Sequence, residues 1–287
     1  ETFEGLIRLR KEEGIKVTFM MQVDLARKAP DFVRLAAEAG CSQVFIGLES
    51  VNPENLKTES KRQNKVAEYQ DILREWHAAG IVVHAAYIIG LPFDTRAQVA
   101  KDVQYLMDEI QPDQASFFMM TPLPGSQDHK EMRKRGDWMD PDLNKRDSFH
   151  ATVQHPRMTT EEWTDAYRTA WQTFYRKENL IKILSRWSHH ASAYWNLLFL
   201  YLWYKNAALI EREHPMIAGF FRLKDRRSRR PGRLPRPLQR VGIARVVPQY
   251  VVVAGFGVDP LERAVEVVLI DDGDATRLLG EHAQAVL

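Results

Sequence analysis

The stretch GIVVHAAYIIGLP, residues 80–92, consists of a helix-stopping glycine, a run of mostly apolar residues and a glycine–proline turn. Three comparable apolar runs lie at residues 15–23, 44–48 and 115–120, and segments with helical patterns separate them. Near-continuous apolar strands are typical of a parallel sheet covered by helices, and strands that alternate with helices form βαβ units. The sequence therefore predicts an α/β fold with a parallel sheet of four strands, the third at 81–89.

Glycine, proline and capping residues mark the helices between these strands. We predict four such helices: the end of one at 1–14, one at 30–39 that Pro30 opens and Gly40 caps, one at 65–79 before Gly80, and one at about 95–110 with Asp94 or Thr95 as N-cap.

The second half of the chain has a different pattern. Residues 126–136 predict a short charged helix, 137–158 a loop, and Thr159 the N-cap of a further helix. That helix carries aromatic residues on one face: Trp163, Tyr167, Trp171, Phe174 and Tyr175. An aromatic stripe with helical spacing is more often packing than a cofactor site, so we expect it to be buried.

The length and composition of the chain limit its possible folds and cellular locations. The chain has 287 residues, 45% of them hydrophobic, which suffices for a sizeable core. Its single cysteine, Cys41, excludes a disulfide framework, fits a reducing cytosol and is expected to be buried. The chain starts inside a helical pattern with no signal peptide, which suggests a fragment of a cytoplasmic protein.

Clusters of special residues follow three of the four predicted strands. They are Gly47-Leu48-Glu49-Ser50, then residues 90–95, GLPFDT, and residues 121–126, TPLPGS. In a parallel β/α barrel, the C-terminal ends of the strands converge on one mouth, where the chemistry takes place. We therefore expect the clusters to meet in space although tens of residues separate them.

Each cluster also has a structural interpretation. The Glu49 carboxylate can accept hydrogen bonds from an ammonium group or ribose hydroxyls, or can pair with a basic side chain. Ser50 can bind a carboxylate or cap the following turn. Gly90 permits close approach of a ligand and Pro92 fixes the turn, whereas Asp94 is expected to cap a helix.

In this order and spacing, the clusters resemble the C-terminal part of the radical S-adenosylmethionine (radical SAM) core, in the branch whose members often carry a cobalamin-binding domain. The resemblance covers about residues 1–180. It is carried by residues 39–50, AGCSQVFIGLES, residues 61–64, KRQN, residues 79–81, AGI, residues 87–92, YIIGLP, and residues 122–126, PLPGS.

This resemblance implies a partial β/α barrel whose four strands correspond to the third to sixth of the family core. The family's first strand is followed by a Cys-x3-Cys-x2-Cys loop that holds a [4Fe–4S] cluster, which a chain with one cysteine cannot provide. The first two strands and that loop are therefore expected before Glu1.

The resemblance also implies roles in binding S-adenosylmethionine (SAM). Glu49 and Ser50 would hold its methionine or ribose part, and the strand end with Ile89, Gly90 and Pro92 would lie along its adenine. The remaining candidates are four residues near the adenosyl group and two at the end of the first strand: Met119, Met120, Thr121, Pro122, Gln22 and Asp24. Relatives often place an arginine near Gln22, and this chain has none there. No metal ligand and no catalytic residue is assigned.

For the parent protein, the resemblance implies SAM and a [4Fe–4S] cluster as cofactors and radical chemistry on a small molecule. Whether cobalamin is a further cofactor, which would favour methyl transfer, stays open. Two other functions are also open: an inactive interaction or membrane-docking module that retains the barrel, and an ordinary β/α-barrel lyase or aldolase. His84 lies within a strand and is expected to be a core residue rather than a ligand.

Four regions follow from these patterns: a barrel part at 1–136, a helical aromatic-rich extension at 137–221, a basic linker at 222–247 and a tail of uncertain fold at 248–287. Residues 194–204, YWNLLFLYLWY, are too short to span a bilayer and predict a buried helix or a helix at a membrane interface.

Residues 222–240 contain nine basic residues and one acidic residue, Asp225. Such a run is usually a solvated tail, but beside an aromatic helix it can attract anionic lipid. The sequence therefore leaves open peripheral membrane contact through 194–240 and a lipid-like substrate. Nucleic acid is not expected as a partner. Because two strands are missing, we also expect an exposed sheet edge and marginal stability.

Overall fold

A computed structural model describes residues 2–14, 17–25, 31–58 and 66–215, with the side chains of 57 and 58 excepted. Four strands form one parallel sheet in sequence order: β1 (Phe19–Val23), β2 (Cys41–Glu49), β3 (Val82–Ile89) and β4 (Gln114–Met119). The predicted α/β fold with four parallel strands is therefore confirmed. The predicted linker 222–247 and tail 248–287 lie outside the described residues.

Helices alternate with these strands, as expected for βαβ units. They are α1 (Thr2–Glu12), α2 (Phe32–Ala39), α3 (Pro53–Thr58), α4 (Val66–Ala78) and α5 (Arg96–Tyr105), which continues as a π-helical turn at Leu106–Ile110. Gly40 caps α2, and Thr95 rather than Asp94 caps α5 through a hydrogen bond from Gln98. The short helix α3 was not predicted, because its residues lie in a polar stretch without an apolar period.

The two faces of the sheet differ in composition. Side chains alternate along each strand, and paired residues of neighbouring strands share a face. One face, here called the outer face, is formed by apolar residues under α2, α4, α5 and a later helix at Thr160–Phe174, such as Ile46, Tyr87 and Phe117. The opposite, inner face carries polar residues at Gln43, His84 and other positions.

The second half is helical, as predicted. It comprises α6 (Gln127–Arg135), α7 (Thr160–Phe174), α8 (Lys177–Arg186) and α9 (Ala191–Asn206), followed by a π-helical turn at Ala207–Glu211. Thr159 forms a capping box with Glu162 at the start of α7. The aromatic residues of α7 are buried, which confirms that the stripe serves packing.

Tyrosine side chains of α7 and of the residue that follows it form hydrogen bonds with backbone groups on the free edge of β4. The Tyr175 hydroxyl donates to the Ala115 carbonyl and accepts from the Ala115 N–H, and the Tyr167 hydroxyl donates to the Phe117 carbonyl. Nearby, the Met119 N–H donates to the Ser148 carbonyl. These hydrogen bonds close the sheet at β4, whereas the exposed edge expected from two missing preceding strands would lie at β1.

The predicted loop 137–158 contains local structure. A 3-10 turn spans Leu143–Lys145, and an isolated antiparallel bridge joins Met139 and Val153. The Arg146 guanidinium donates to the Pro122 carbonyl, which ties this segment to the chain that leaves β4.

Helix α9 and the residues after it cover the inner face of β3 and β4. The Tyr204 ring lies 5.6 Å from the His84 ring, and the His214 ring stacks on Phe118 at 4.5 Å. None of the helices within the described ranges combines the length and the apolar character needed to cross a membrane.

A buried carboxylate joins the second half to the sheet at the N-terminal end of β4. Asp113 accepts hydrogen bonds from the His77 ring at 2.9 Å, the Val83 N–H at 2.9 Å, Arg186 at 2.6 Å and the Trp187 indole at 2.7 Å. Burial alone would raise the pKa of Asp113, but the His77 hydrogen bond and the Arg186 charge outweigh burial and lower the pKa.

Candidate functional site

All four strands are parallel, so their C-terminal ends lie at one edge of the sheet, here called the C-terminal edge. The three residue clusters follow β2, β3 and β4 at this edge. Gly90 and Met120 are direct neighbours there, since the Ile89 carbonyl accepts a hydrogen bond from the Met120 N–H at 2.9 Å. The expectation that distant clusters meet at one edge is therefore confirmed.

Glu49 has an unusual backbone at this edge. Its φ is 63°, in the left-handed region, and the register of β2 on β3 shifts between Gly47 and Glu49. A Cβ atom added to Gly47 would lie 2.6 Å from the Glu49 carboxylate, so this carboxylate lies over the inner face at Gly47. A left-handed backbone conformation costs free energy at a non-glycine residue, and residues in this conformation are enriched at functional sites.

Two further polar candidates lie at the end of β1. Gln22 is exposed, and its pairing with Phe45 places it on the inner face beside β2. Asp24 follows the last residue of β1 and is half-buried. Together with Glu49, they give the C-terminal edge an amide and two carboxylates, of which the amide and the Glu49 carboxylate lie on the inner side.

Ser50 lies differently from these three residues. It is 1% exposed, and its hydroxyl accepts a hydrogen bond from the Asn52 N–H at 3.0 Å. Its carbonyl accepts a hydrogen bond from the buried Tyr69 hydroxyl at 3.4 Å. The Ser50 hydroxyl therefore caps the turn after β2, which was the structural alternative for this residue.

Asp94 and Asn55 hold the turn after β3. One Asp94 carboxylate oxygen accepts from the Gly90 and Leu91 N–H groups at 2.8 and 3.1 Å, and the other accepts from the Asn55 amide at 2.6 Å. Asn55 in turn accepts from the Phe93 N–H at 2.9 Å. Sequence reasoning missed Asn55, because a lone asparagine in a polar stretch carries no signal of its contact.

Burial raises the pKa of Asp94 to about 6, and the hydrogen bonds from Gly90, Asn55 and Leu91 offset only part of that effect. A carboxyl with a raised folded pKa contributes stability that is fully present below its unfolded pKa of about 4 and is lost as the pH rises through about 6.

We therefore expect the unfolding free energy of the wild type, minus that of Asp94→Asn, to fall by about 2 kcal/mol between pH 4 and pH 7. Urea unfolding at a series of pH values measures this difference, because the variant has no group that titrates at position 94. A difference that stays constant over this range would show that Asp94 is ionised throughout.

Trp163 of α7 closes the turn after β3 from the other side. Its indole N–H donates to the Ile89 carbonyl at 3.0 Å, and its ring occupies the place where a Cβ atom of residue 90 would lie. The close approach that the sequence indicated at Gly90 is therefore made by Trp163. His155 adds a hydrogen bond of 3.0 Å to the Leu91 carbonyl, and Pro92 remains half-buried.

The residues after β4 form the last part of the edge. The Met119 side chain is 1% exposed and belongs to the outer face, whereas Met120 is half-buried. The Thr121 hydroxyl donates to the Met119 carbonyl at 2.9 Å, and Pro122 is held by Arg146. In this segment, Met120 and Thr121 are the partly exposed candidates.

On the inner face below this edge, polar side chains of neighbouring strands form hydrogen bonds with one another. The His84 ring lies 2.8 Å from the Ser116 hydroxyl, and the Gln43 amide donates to Gln114 at 3.0 Å. Burial lowers the pKa of His84 to about 3. His84 is therefore a neutral core residue, as expected from its position within β3.

Metal ligands are not evident in this part of the chain. The described residues contain no group of three or more histidine, cysteine or acidic residues that could hold a metal ion.

Cys41 is the first residue of β2, at the edge opposite Glu49. It is buried, and burial raises the pKa of its thiol to about 12. Its prediction as a packing residue agrees with this position.

Comparisons with known proteins show what this chain is similar to. The sequence model of the Radical SAM superfamily matches residues 1–106. Bacteriochlorophyllide d C-12(1)-methyltransferase of Chlorobaculum tepidum is 24% identical over 63% of this chain and 38% of its own length. Anaerobic magnesium-protoporphyrin IX monomethyl ester cyclase of Cereibacter sphaeroides is 24% identical over 63% of this chain and 29% of its own length.

Among solved structures, the radical SAM methyltransferase TsrM of Kitasatospora setae, with cobalamin and a [4Fe–4S] cluster bound, aligns with a TM-score of 0.43 and 16% identity. This alignment covers 58% of this chain and 34% of TsrM. The chain therefore spans well under half of the relatives it matches. Residues 1–106 are therefore the part of the chain that is similar to the Radical SAM superfamily model.

Proposed function

We propose that this chain forms the SAM-binding part of a radical SAM enzyme that modifies a small molecule. The observation that carries the proposal is the convergence of three strand-end clusters at one edge of the sheet, within and next to the residues that match the family. Because the chain covers well under half of its relatives, the activity of the whole protein is part of this proposal.

The hydrogen-bond acceptors at the C-terminal edge fit SAM. SAM carries an ammonium group and ribose hydroxyls that donate hydrogen bonds. Glu49 and Gln22 present acceptors on the inner side of that edge, and Asp24 presents another directly after β1. The half-buried side chains of Ile88 and Phe118 lie on the same face and offer apolar contact.

A [4Fe–4S] cluster does not fit the residues of this chain. Such clusters are held by several cysteine thiolates, whereas this chain has one cysteine, buried at the opposite edge. Our proposal therefore assigns the cluster ligands to residues outside this sequence, as the family resemblance implies.

When bound, SAM supplies the adenosyl group that the superfamily uses for radical chemistry. The chain would orient it. Glu49 would fix the ammonium or ribose end, and the Gly90–Leu91 backbone, held by Asp94 and Asn55, would border the adenine. The apolar outer face and α7 exclude water from behind this turn, which keeps its backbone rigid.

Cobalamin-dependent methyl transfer to an apolar, lipid-like molecule is our finer proposal for the reaction. Matched relatives are named as a methyltransferase of a bacteriochlorophyllide and as a cyclase of a magnesium-protoporphyrin ester. Peripheral membrane contact of a cytoplasmic enzyme through 194–240 belongs to the same proposal, because this range combines an aromatic, apolar run with a basic run.

The second candidate is an inactive module that retains the barrel as a scaffold. The single cysteine favours this function, because nothing in the chain can hold the cluster. The two functions differ in a simple property: a SAM-binding part binds SAM at the C-terminal edge, and a scaffold has no need to.

Equilibrium dialysis of this chain with radiolabelled SAM separates the two. We expect saturable binding that Glu49→Gln weakens about tenfold or more, because a charge-assisted hydrogen bond is lost. Glu75→Gln, an exposed position on α4, is the matched control and should bind like the wild type. Absence of binding, or equal affinities of the two variants, would contradict the proposal.

A further inference from the structure

The acidic residues of the segment 137–158 have partners, whereas its two arginines do not pair with a carboxylate. Asp137 lies 2.7 Å from Arg135, Asp140 lies 2.7 Å from Lys145, and Asp147 lies 2.9 Å from the His150 ring. The fourth, Asp142, accepts hydrogen bonds from Asn144. Within the part of the chain that the structure describes, neither Arg146 nor Arg157 forms an ion pair.

Arg157 is held over the turn after β3. Its guanidinium carbon lies 4.8 Å from the centre of the Phe93 ring, a distance at which a cation and an aromatic ring attract each other. Its backbone N–H donates to Nδ1 of His155 at 3.1 Å, and Nε2 of the same ring donates to the Leu91 carbonyl at 3.0 Å. Because a carbonyl can only accept, His155 carries its proton on Nε2. Arg157 is thus fixed through both its backbone and its side chain, yet the residue is exposed.

Arg146 lies at the next strand end. Its guanidinium donates to the carbonyl of Pro122, in the chain that leaves β4, and the residue is half-buried. Because β3 and β4 are parallel neighbours, the segment 137–158 contributes one arginine to each of two adjacent strand ends. These arginines give that half of the C-terminal edge two positive charges.

These charges do not match the main groups of SAM. The acceptors proposed for SAM are Glu49, Asp24 and Gln22, which lie at the ends of β1 and β2. SAM brings an ammonium group, a sulfonium group and one carboxylate, and that carboxylate is attached to the same carbon as the ammonium group. Arg157 and Arg146, after β3 and β4, therefore suit a second molecule that is anionic.

We propose that Arg157, with Arg146 at the next strand end, selects a substrate that carries a carboxylate or a phosphate group. A guanidinium can bind both oxygens of such a group through parallel hydrogen bonds. The contact with Phe93 restricts the Arg157 side chain before the substrate arrives, which lowers the entropy cost of binding. This inference names the substrate class and rests on the proposed function.

Isothermal titration calorimetry of the 287-residue chain with three probes of similar shape tests this selection. The probes are benzoate, phenyl phosphate and neutral benzamide. We expect at least one of the two anions to bind about tenfold or more tightly than benzamide, because a charge-assisted hydrogen bond forms only with an anion. The anion that binds more tightly tells a carboxylate from a phosphate.

Substitutions assign the preference to its residues. Arg157→Gln should remove it, and Arg157→Lys should keep part of it, because an ammonium group keeps the charge but lacks the planar fork of donors. Arg146→Gln can still donate to the Pro122 carbonyl and should weaken anion binding less than Arg157→Gln does. Arg168→Gln, at an exposed position of α7, is the matched control. Urea unfolding of each variant checks that its fold is retained.

Three results would overturn the selection by Arg157. One is the absence of any preference for the anions over benzamide, and another is equal anion binding by Arg157→Gln and Arg168→Gln. The third is an Arg157→Gln variant that loses affinity for SAM alone, which would assign the guanidinium to the SAM carboxylate. The probes are titrated without SAM, and SAM is dialysed without the probes, so either proposal can fail while the other holds.

Discussion

Replacing Gly90 with alanine is expected to lower the free energy of unfolding by about 3 kcal/mol or more. The added Cβ would overlap the indole ring of Trp163, which is fully buried, and Gly90 has a φ of 97°, where alanine is strained. Chemical denaturation monitored by tryptophan fluorescence measures this loss, and the turn after β3 should open with it.

Gly125 offers a matched control for this change. It also has a left-handed φ, of 93°, but nothing lies within 4 Å of the position of its Cβ. Gly125→Ala should therefore cost only the backbone strain, about 1 kcal/mol. In a protein that already carries Trp163→Ala, Gly90→Ala should lower the free energy of unfolding much less than it does in the wild type. Equal costs at both glycines, or additivity with Trp163→Ala, would contradict the packing that we describe.

Asp113→Asn is expected to lower the unfolding free energy by about 3 kcal/mol or more. The Asp113 carboxylate accepts from four donors, and an amide group would oppose at least one of them with a donor of its own. The Arg186 guanidinium would also lose its buried partner. Urea unfolding at neutral pH gives the magnitude, and near-ultraviolet circular dichroism reports on Trp187.

Asp108→Asn is the control for charge alone. Asp108 pairs with Lys182 at 2.9 Å, but it is 40% exposed, so its removal should cost less than about 1 kcal/mol. The stabilisation from Asp113 should be present above pH 4 and be lost as the pH falls through its lowered pKa. Equal costs for the two substitutions would show that Asp113 does not join α8 to the sheet.

Periodicity and glycine stops were sufficient to predict the sheet. The four apolar runs became the four strands because a strand covered by helices must be apolar, and the glycines after α2 and α4 end those helices. Strand starts were less accurate. The described part of β1 begins at Phe19, and β2 begins at Cys41, three residues before the apolar run, because pairing with β1 extends it.

Contacts between distant residues could not be predicted in the same way. The bond between Asn55 and Asp94 spans 39 residues, and Trp163 reaches Ile89 across 74 residues. Their sequence neighbourhoods indicate a polar loop and an aromatic stripe, and only the folded chain brings them to one turn. The position of α9 on the inner face likewise depends on tertiary packing.

The candidate site was predicted as a location more than as a set of side chains. Parallel strands require the clusters to share an edge, and this was confirmed. The direction of each side chain depends on local geometry, such as the shift in register at Glu49 and the turn that buries Ser50. SAM contacts by these residues, and the region boundaries at 136 and 221, stay predictions.

Hydrogen–deuterium exchange of this chain with and without saturating SAM tests the central claim most directly. The claim is that the C-terminal edge of the sheet binds SAM. We predict slower amide exchange at residues 22–25, 47–52, 88–94 and 119–122, and no change in the segments that begin β2 and β4. Protection confined to the opposite edge, or exchange that SAM leaves unaltered throughout, would contradict the account.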